Sequence, residues 1–525
     1  MKLLGSMLIA SLALGVSATA LSAADYYIMP VRPGPVAGTT LAAISLRAEK
    51  RVSRLRLNVN ERGNTAGKWV SVGETTTTTA PAKTTTSTSA EVPVGTTTGT
   101  APTTGTGTAT TTSPPPAPGT PPATSPPPAP SAGATYATVG ALLKSGKLQG
   151  GDRVFLMDGY HGPINISGYR FSGPVTFEPV PGQTAQVESI LIGNSSNVTM
   201  RNLKVWATSP NAGSGPLIRT YTNTSDIAFY DMDVRSVPDA TNYLSWDITA
   251  WRTNKRSGFL LQGARNIAVG NRVTGLYHGI HIEGPQDQII NNIVDGFSGD
   301  AMRALGDDSL VRGNKVQNCF QIDGNHADGF QAFSRGPTGT PGAGTVRNLV
   351  IENNKIFEWT ASSTNSLKCK LQGIGMFDGM FDGTQIRNNV IAVTAYHGIT
   401  IAGALNSTIT QNTVINALGQ GTNYPWIAVN KHKNGTMSQN VLIANNAANQ
   451  IQSTSKAANN IVVANNVVVR NAASEFTAYR SQDFTLVPSA LSANAGSPAY
   501  QTPSDIVGAP RPKGKAPDAG AYESQ

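Results

Sequence analysis

The sequence predicts an all-β chain whose main body is a parallel β-helix, on three observations. The first is a repeat. Aligning on one asparagine gives Asn271-Arg-Val273, Asn292-Ile-Val294, Asn314-Lys-Val316, Asn354-Lys-Ile356, Asn389-Val-Ile391 and Asn412-Thr-Val414, spaced by 21, 22, 40, 35 and 23 residues. A period near 22 is one coil of a solenoid of short strands, and the two long spacings hold loop-like inserts at 334–345 and 360–368. Second, runs such as Ile461-Val-Val463 and Val467-Val-Val469 are β-branched and flanked by asparagine, which suits strands rather than a helical solenoid. Third, the 525 residues include 54 glycines but only 14% charged and 6% aromatic residues, a composition that excludes coiled coils and helical bundles. A β-sandwich would need frequent hairpin signals, and these are sparse.

Residues 1–23 read as a signal peptide: Lys2, an apolar run from Leu3 to Val16, then the small residues Ala18, Ala20, Ser22, Ala23 and Ala24. No later stretch reaches the ~18 apolar residues of a membrane span. The expectation is therefore a secreted or periplasmic protein without a membrane span. Cys319 and Cys369 are too few for a disulfide framework and are expected to stay unpaired. Residues 24–74 form a small basic segment, with eight Arg/Lys against four acids in 25–74. Since no basic stripe interleaved with aromatics occurs, nucleic acid is not an expected partner. Residues 75–131 are nearly all Thr, Pro, Ser, Gly and Ala, a linker that cannot bury enough apolar surface to order itself.

The β-helix is expected over 132–525. A short amphipathic helix near Leu142-Leu143 precedes the opening strand within Gly150-Gly-Asp-Arg-Val-Phe-Leu156. Further turns of the repeat fall at 197–202, 225–231 and 459–466, and the recurring asparagines should hydrogen-bond along a ladder at one corner. Residues 135–525 resemble the secreted right-handed parallel β-helix proteins that act on polysaccharides. The opening Gly151-Asp-Arg-Val-Phe-Leu-Met-Asp-Gly-Tyr-His-Gly162 and the closing Gly496-Ser-Pro498, Pro510-Arg-Pro512 and Asp518-Ala-Gly-Ala-Tyr-Glu523 are similar to theirs. The resemblance implies a right-handed fold that lyases, epimerases, hydrolases and fibres share.

The repeat also predicts which side chains stack. Gly279, Ala301, Gly329, Gly373 and Gly398 form one column. The residue before it is then His278, Asp300, Asp328, Gln372 or His397; two after it stands His281, Arg303, Gln331, Gly375 or Thr400; three before it, Leu276, Ser298, His326, Lys370 or Ala395. With coils ~4.8 Å apart, one patch gathers four of the six histidines. Such a patch suits β-elimination on a uronate polymer, which needs a cation for the carboxylate, a base for the C5 proton and an acid for O4. Arg303 suits the first role, His326 or Lys370 the second, and Tyr396 or His397 the third. Asp328 is expected to orient His326, while His278, His281, Asp300, Gln331 and Lys368 bind substrate.

The expected function is thus a lyase on an acidic polysaccharide, acting as a monomer. Resemblance to alginate lyases and mannuronan C5-epimerases supports this class, with epimerisation as the nearest alternative because it uses nearly the same groups. A glycoside hydrolase would use Asp307-Asp308 with Asp328, but of the β-helix polygalacturonase motifs only Asp-Asp is matched. A non-catalytic binder would need aromatic platforms, for which Trp246, Trp251 and Trp359 are candidates. No metal is expected to be required; calcium is the one cofactor considered, with Asp300, Asp307, Asp308 and Asp328 as oxygen donors.

Overall fold

The computed structural model describes residues 23–31, 133–208, 215–421, 423–453 and 459–524. The chain divides into two units, 1–34 with 126–525 and 35–125. The expected signal through residue 22, the basic segment beyond residue 31 and the linker all lie outside the described residues. The first unit is a right-handed parallel β-helix of three parallel sheets with 16, 12 and 11 strands.

One coil supplies Ile267–Val269 to the first sheet, Arg272–Leu276 to the second and Ile280–Ile282 to the third. The next supplies Gln288–Ile290, Ile293–Phe297 and Met302–Ala304. Alternate residues point inward and stack on their counterparts. Val273, Val294, Val316, Ile356, Ile391 and Val414 form one fully buried column. Ile280, Met302, Phe330, Ile374, Ile399 and Ile427 form another. Each such side chain contributes roughly 1.5–3 kcal/mol relative to exposure, so the repeat and the core are one pattern.

The corner between the first and second sheets carries the asparagine ladder. Asn271, Asn292, Asn314, Asn354, Asn389, Asn412, Asn446 and Asn466 each accept, through Oδ1, from the backbone N–H of the residue one coil before. The residue preceding each takes a left-handed conformation: Gly270, Asn291, Gly313, Asn353, Asn388, Gln411, Asn445 and Asn465 have φ between 51° and 70°. The Asn-Asn doublets therefore divide two tasks, one residue tolerating the turn and the next satisfying its buried amides. Replacing Asn354 by alanine removes an acceptor for Asn314 N and Nδ2 and a donor to Val311 O, all at 2.9 Å. Denaturant unfolding should show a loss of about 2–3 kcal/mol, because buried partners are left unpaired at ~1–3 kcal/mol each.

Two expectations change. The β-helix does not begin at residue 132, because Asp25–Ile28 is inserted between Ala134–Tyr136 and Arg153–Leu156 and pairs in parallel with both. Its buried Tyr26, Tyr27 and Ile28 complete the first coil, a contribution hidden by the hundred-residue gap that follows. Cys319 and Cys369 are also not unpaired: they form a disulfide across 50 residues. Lys315–Cys319 ends a second-sheet strand, and Cys369 N donates to Cys319 O at 3.0 Å after the insert has looped back. The expected short helix is present as Val139–Lys144, capped by Thr138 and buried through Leu142 and Leu143.

Candidate functional site

At the corner where the second sheet turns into the third, three successive coils frame a cavity of about 760 Å³. The loop after Cys319 contributes Gln321 and His326; the end of the 360–368 insert contributes Lys368 and Lys370; the turn after Val390–Val393 contributes Tyr396. Tyr424 closes the rim and Gln372 forms part of the floor. Gln321 Nε2 donates to Asn325 O at 2.6 Å, which holds the His326 loop in a tight turn. The imidazole of His326 and the ammonium of Lys370 are exposed and have no hydrogen bond or ion pair among the described residues. Tyr396 is 47% and Tyr424 43% exposed.

Lys368 differs from Lys370. Its Nζ lies 3.0 Å from Oε1 of the buried Glu358, whose other oxygen accepts from Leu371 N, Thr394 N and Thr394 Oγ1. That carboxylate fastens the insert, the third-sheet entry and the Tyr396 turn together. Lys368 is thus a tether as well as a wall.

The register columns hold where strands carry them: His281, Arg303, Gln331, Gly375 and Thr400 are successive partners, as are Asp328 and Gln372. Yet the structure separates the predicted patch into two layers. His278, His281, Asp300, Arg303, Asp328 and Gln331 do not line the cavity; they form a network beside it. Asp300 N donates to His278 Nδ1 at 3.0 Å, and the His278 and His281 rings are 4.6 Å apart. Asp300 Oδ2 pairs with Arg303 Nη2, while Oδ1 accepts from Asp328 N at 3.1 Å. Gln331 Nε2 donates to Asp328 Oδ2 at 3.0 Å. Arg303 is therefore committed to Asp300 and to the face of Phe333, 5.2 Å away, and is not the carboxylate cation in the cavity. Nor does Asp328 orient His326: it is buried, and its paired oxygen serves Gln331.

Burial sets the charge state of this layer. It pushes the Asp328 carboxyl well above the usual range, reinforced by the nearby Asp300 charge. Burial raises Asp300 too, against the opposing pull of Arg303. Of the two buried carboxyls, Asp328 is thus the one that resists ionisation, while Asp300 has Arg303 beside it. Asp328 Oδ1 has no hydrogen-bond partner among the described residues and faces Gly375, where an added Cβ would lie 2.8 Å from it. Burial lowers His281 strongly, and lowers His278 to about 4 with help from Arg303.

His397 is likewise behind the cavity wall. Its Nδ1 lies 2.8 Å from Thr400 Oγ1 and accepts from Trp426 Nε1 at 3.2 Å, and its ring packs tilted against Tyr396 with centroids 4.2 Å apart. Burial lowers it to about 4. It supports the Tyr396 platform and is not placed to protonate a leaving group. Since the folded His278 and His397 resist protons that the unfolded chain takes up below 6.5, their contribution to stability is full above pH 6.5 and lost as pH falls towards about 4. Thermal melts should show the wild type losing stability over that window more steeply than His278→Asn. The carboxyl contributions of opposite sign are common to both proteins and cancel in the comparison.

His278, His281 and Asp300 each offer a ligand atom within 4.8 Å of the others. Two nitrogen donors do not match the six to eight oxygens calcium prefers, and Arg303 already neutralises Asp300. The other calcium candidates are elsewhere: Asp307 accepts from Arg347 N and Asp308 from Asn348 Nδ2, both at 2.9 Å on the first-sheet side. The same placement removes Asp307-Asp308 from any carboxylate pair with Asp328. Trp246, Trp251 and Trp359 join a satellite apolar cluster with Phe320; Trp246 and Trp251, 8% and 1% exposed, are too buried to serve as sugar platforms, and Trp359 is half-buried against Phe320. Sequence reasoning missed Tyr424; its signal was an aromatic residue in the Gly/Asn/Pro-rich stretch 419–425.

No protein-family model matches the chain, and no curated protein matches it. Among solved structures it is similar to pectate lyase Pel9A, with 15% identity over 73% of this chain and 90% of that one, at a TM-score of 0.39. It is similar to the PL6 family alginate lyase AlyGC, with 14% identity over 62% of this chain and 50% of that one, at a TM-score of 0.35. For the A-module of Azotobacter vinelandii mannuronan C-5 epimerase AlgE6 the figures are 13% identity, 62%, 87% and a TM-score of 0.43. The likeness is one of fold.

Proposed function

We propose that this β-helix is an exported polysaccharide lyase that cleaves a uronic-acid polymer by β-elimination in the cavity at the second-to-third sheet corner. One observation carries the reading: an imidazole (His326) and an ammonium (Lys370) without partners among the described residues, and two exposed phenols (Tyr396, Tyr424), surround one cavity of sugar-sized volume. The Lys370 ammonium neutralises the C6 carboxylate, which acidifies the C5 proton. His326 takes that proton. The C5–H electron pair becomes the C4=C5 double bond, the C4–O4 bond breaks, and O4 receives the Tyr396 phenolic proton. His326 returns its proton to the phenolate through solvent, so the balance closes without an oxidant or water addition. Gln372 and Lys368 line the sugar's path, while the Asp300–Arg303–Asp328 layer fixes the wall behind it.

Hydrolysis is less well supported, because the cavity lining holds no carboxylate pair. The disulfide suits an oxidising compartment. The test is incubation of the purified protein with polymannuronate, polyguluronate and polygalacturonate, following ultraviolet absorbance of the unsaturated uronate. A rise on one polymer supports the proposal; polymers left intact with deuterium entering C5 would replace it with epimerisation.

A further inference from the structure

Further towards the N-terminus of the same third sheet lies a second cavity, of about 460 Å³. Its floor is apolar: Leu191, Gly193 and the ring of Tyr221, which is 39% exposed. Gly193 presents no side chain beside the Tyr221 ring. Its rim is amide and hydroxyl: Asn165 and Ser167, which alternate outward on Ile164–Ser167, and Asn223. Asn223 is held in place as its Oδ1 accepts from Asn194 N at 2.8 Å.

Two guanidinium groups flank the cavity. Arg219 lies 4.4 Å above the Tyr221 ring, and Arg170 donates to Asn194 Oδ1 and Asn223 O at 2.8 and 3.1 Å. Neither makes an ion pair with an acid among the described residues, whereas Arg335, further along, is neutralised by Glu283. An aromatic floor, a hydroxyl-matching rim and uncompensated guanidinium charge together match a pyranose carrying a carboxylate: C–H face on the ring, hydroxyls on the amides, anion beside arginine. From Ile190–Gly193 to Asp328–Phe333 is five steps in the third sheet, about 24 Å at ~4.8 Å per coil. Between them a third cavity of about 430 Å³ shares Thr222 with the second and reaches Arg335, whose guanidinium lies 5.4 Å from the Phe333 ring.

We infer that the Tyr221 cavity is a distal binding subsite for an acidic glycan chain, which grips the polymer several sugars away from the corner cavity. The inference rests on the proposed function for its substrate class. Its consequence is a preference for long chains over short oligomers, because only a long chain engages both sites and gains their combined affinity.

The test is affinity electrophoresis through gels containing polymannuronate or polygalacturonate, with His326→Ala as the common background, which removes the base and slows cleavage while keeping the Lys370 contact to the carboxylate. Tyr221→Ala and Asn165→Asp, both at exposed positions, should each weaken retention by about tenfold, the loss of one aromatic or polar anchor. Binding of a tetramer of the same uronate should be unchanged. Unaltered polymer retention in both variants would overturn the distal subsite while leaving the proposed function standing. No retention of the background protein by any acidic polymer, together with no cleavage by the wild type, would overturn both.

Discussion

Replacing His326 by alanine is expected to lower kcat on the cleaved polymer by about 10²–10⁴-fold with no change in melting temperature. The imidazole is exposed, makes no hydrogen bond or ion pair among the described residues, and stands on a loop tied by Gln321 rather than by itself. Its removal therefore costs the fold little. Lys370→Ala should behave in the same way for the same reason. Lys368→Ala should not, because it strips the ion pair from a nearly fully buried Glu358 that also gathers Leu371 and Thr394. That variant should lose melting temperature together with activity. Steady-state kinetics beside thermal melts on the three variants separates chemistry from scaffolding; a His326→Ala enzyme with full kcat would remove the residue from the mechanism.

Breaking the Cys319–Cys369 disulfide is expected to be the largest single loss of stability. Closing a loop of 50 residues is worth ~4 kcal/mol on the chain-entropy account. The bond also anchors the wall of the corner cavity, since Cys369 lines it between Lys368 and Lys370. A Cys319→Ser/Cys369→Ser double variant should melt well below the wild type and raise KM more than it lowers kcat, as the wall loosens but the reacting groups remain. Equal melting temperatures in oxidised and reduced protein would contradict this.

The repeat made the strand layers legible. Gly279, Gly373 and Gly398 occur in one column because the neighbouring coil's backbone passes so close: a Cβ on Gly279 would come within 2.2 Å of Ala301 O, and one on Gly373 within 2.2 Å of Gly398 O. Counting from these glycines places His281 beside Arg303 and Asp328 beside Gln372, and the structure agrees. Counting backwards into the turns fails in the earlier coils. Leu276 pairs with Phe297 rather than Ser298, because the turn from Phe297 to Ala301 is one residue longer than the preceding one. His326 stands in a still longer turn between Cys319 and Asp328. Sheets fix register but leave turn lengths free, so the count misplaces Leu276 against Ser298, whereas in the later coils it brings His326, Lys370 and Ala395 to one place, and all three line the corner cavity. The commitment of Arg303 to Asp300 was hidden for another reason. Burial drives that pairing, and burial on the outer face of a β-helix depends on which neighbouring side chains cover it.

The most direct test of the central claim is mass spectrometry of the chain ends formed when the wild-type protein cuts its polymer in heavy-oxygen water. β-Elimination breaks C4–O4 without adding water, so the account predicts unsaturated non-reducing ends and no heavy oxygen incorporated during cleavage. Saturated ends carrying heavy oxygen would show hydrolysis and contradict it.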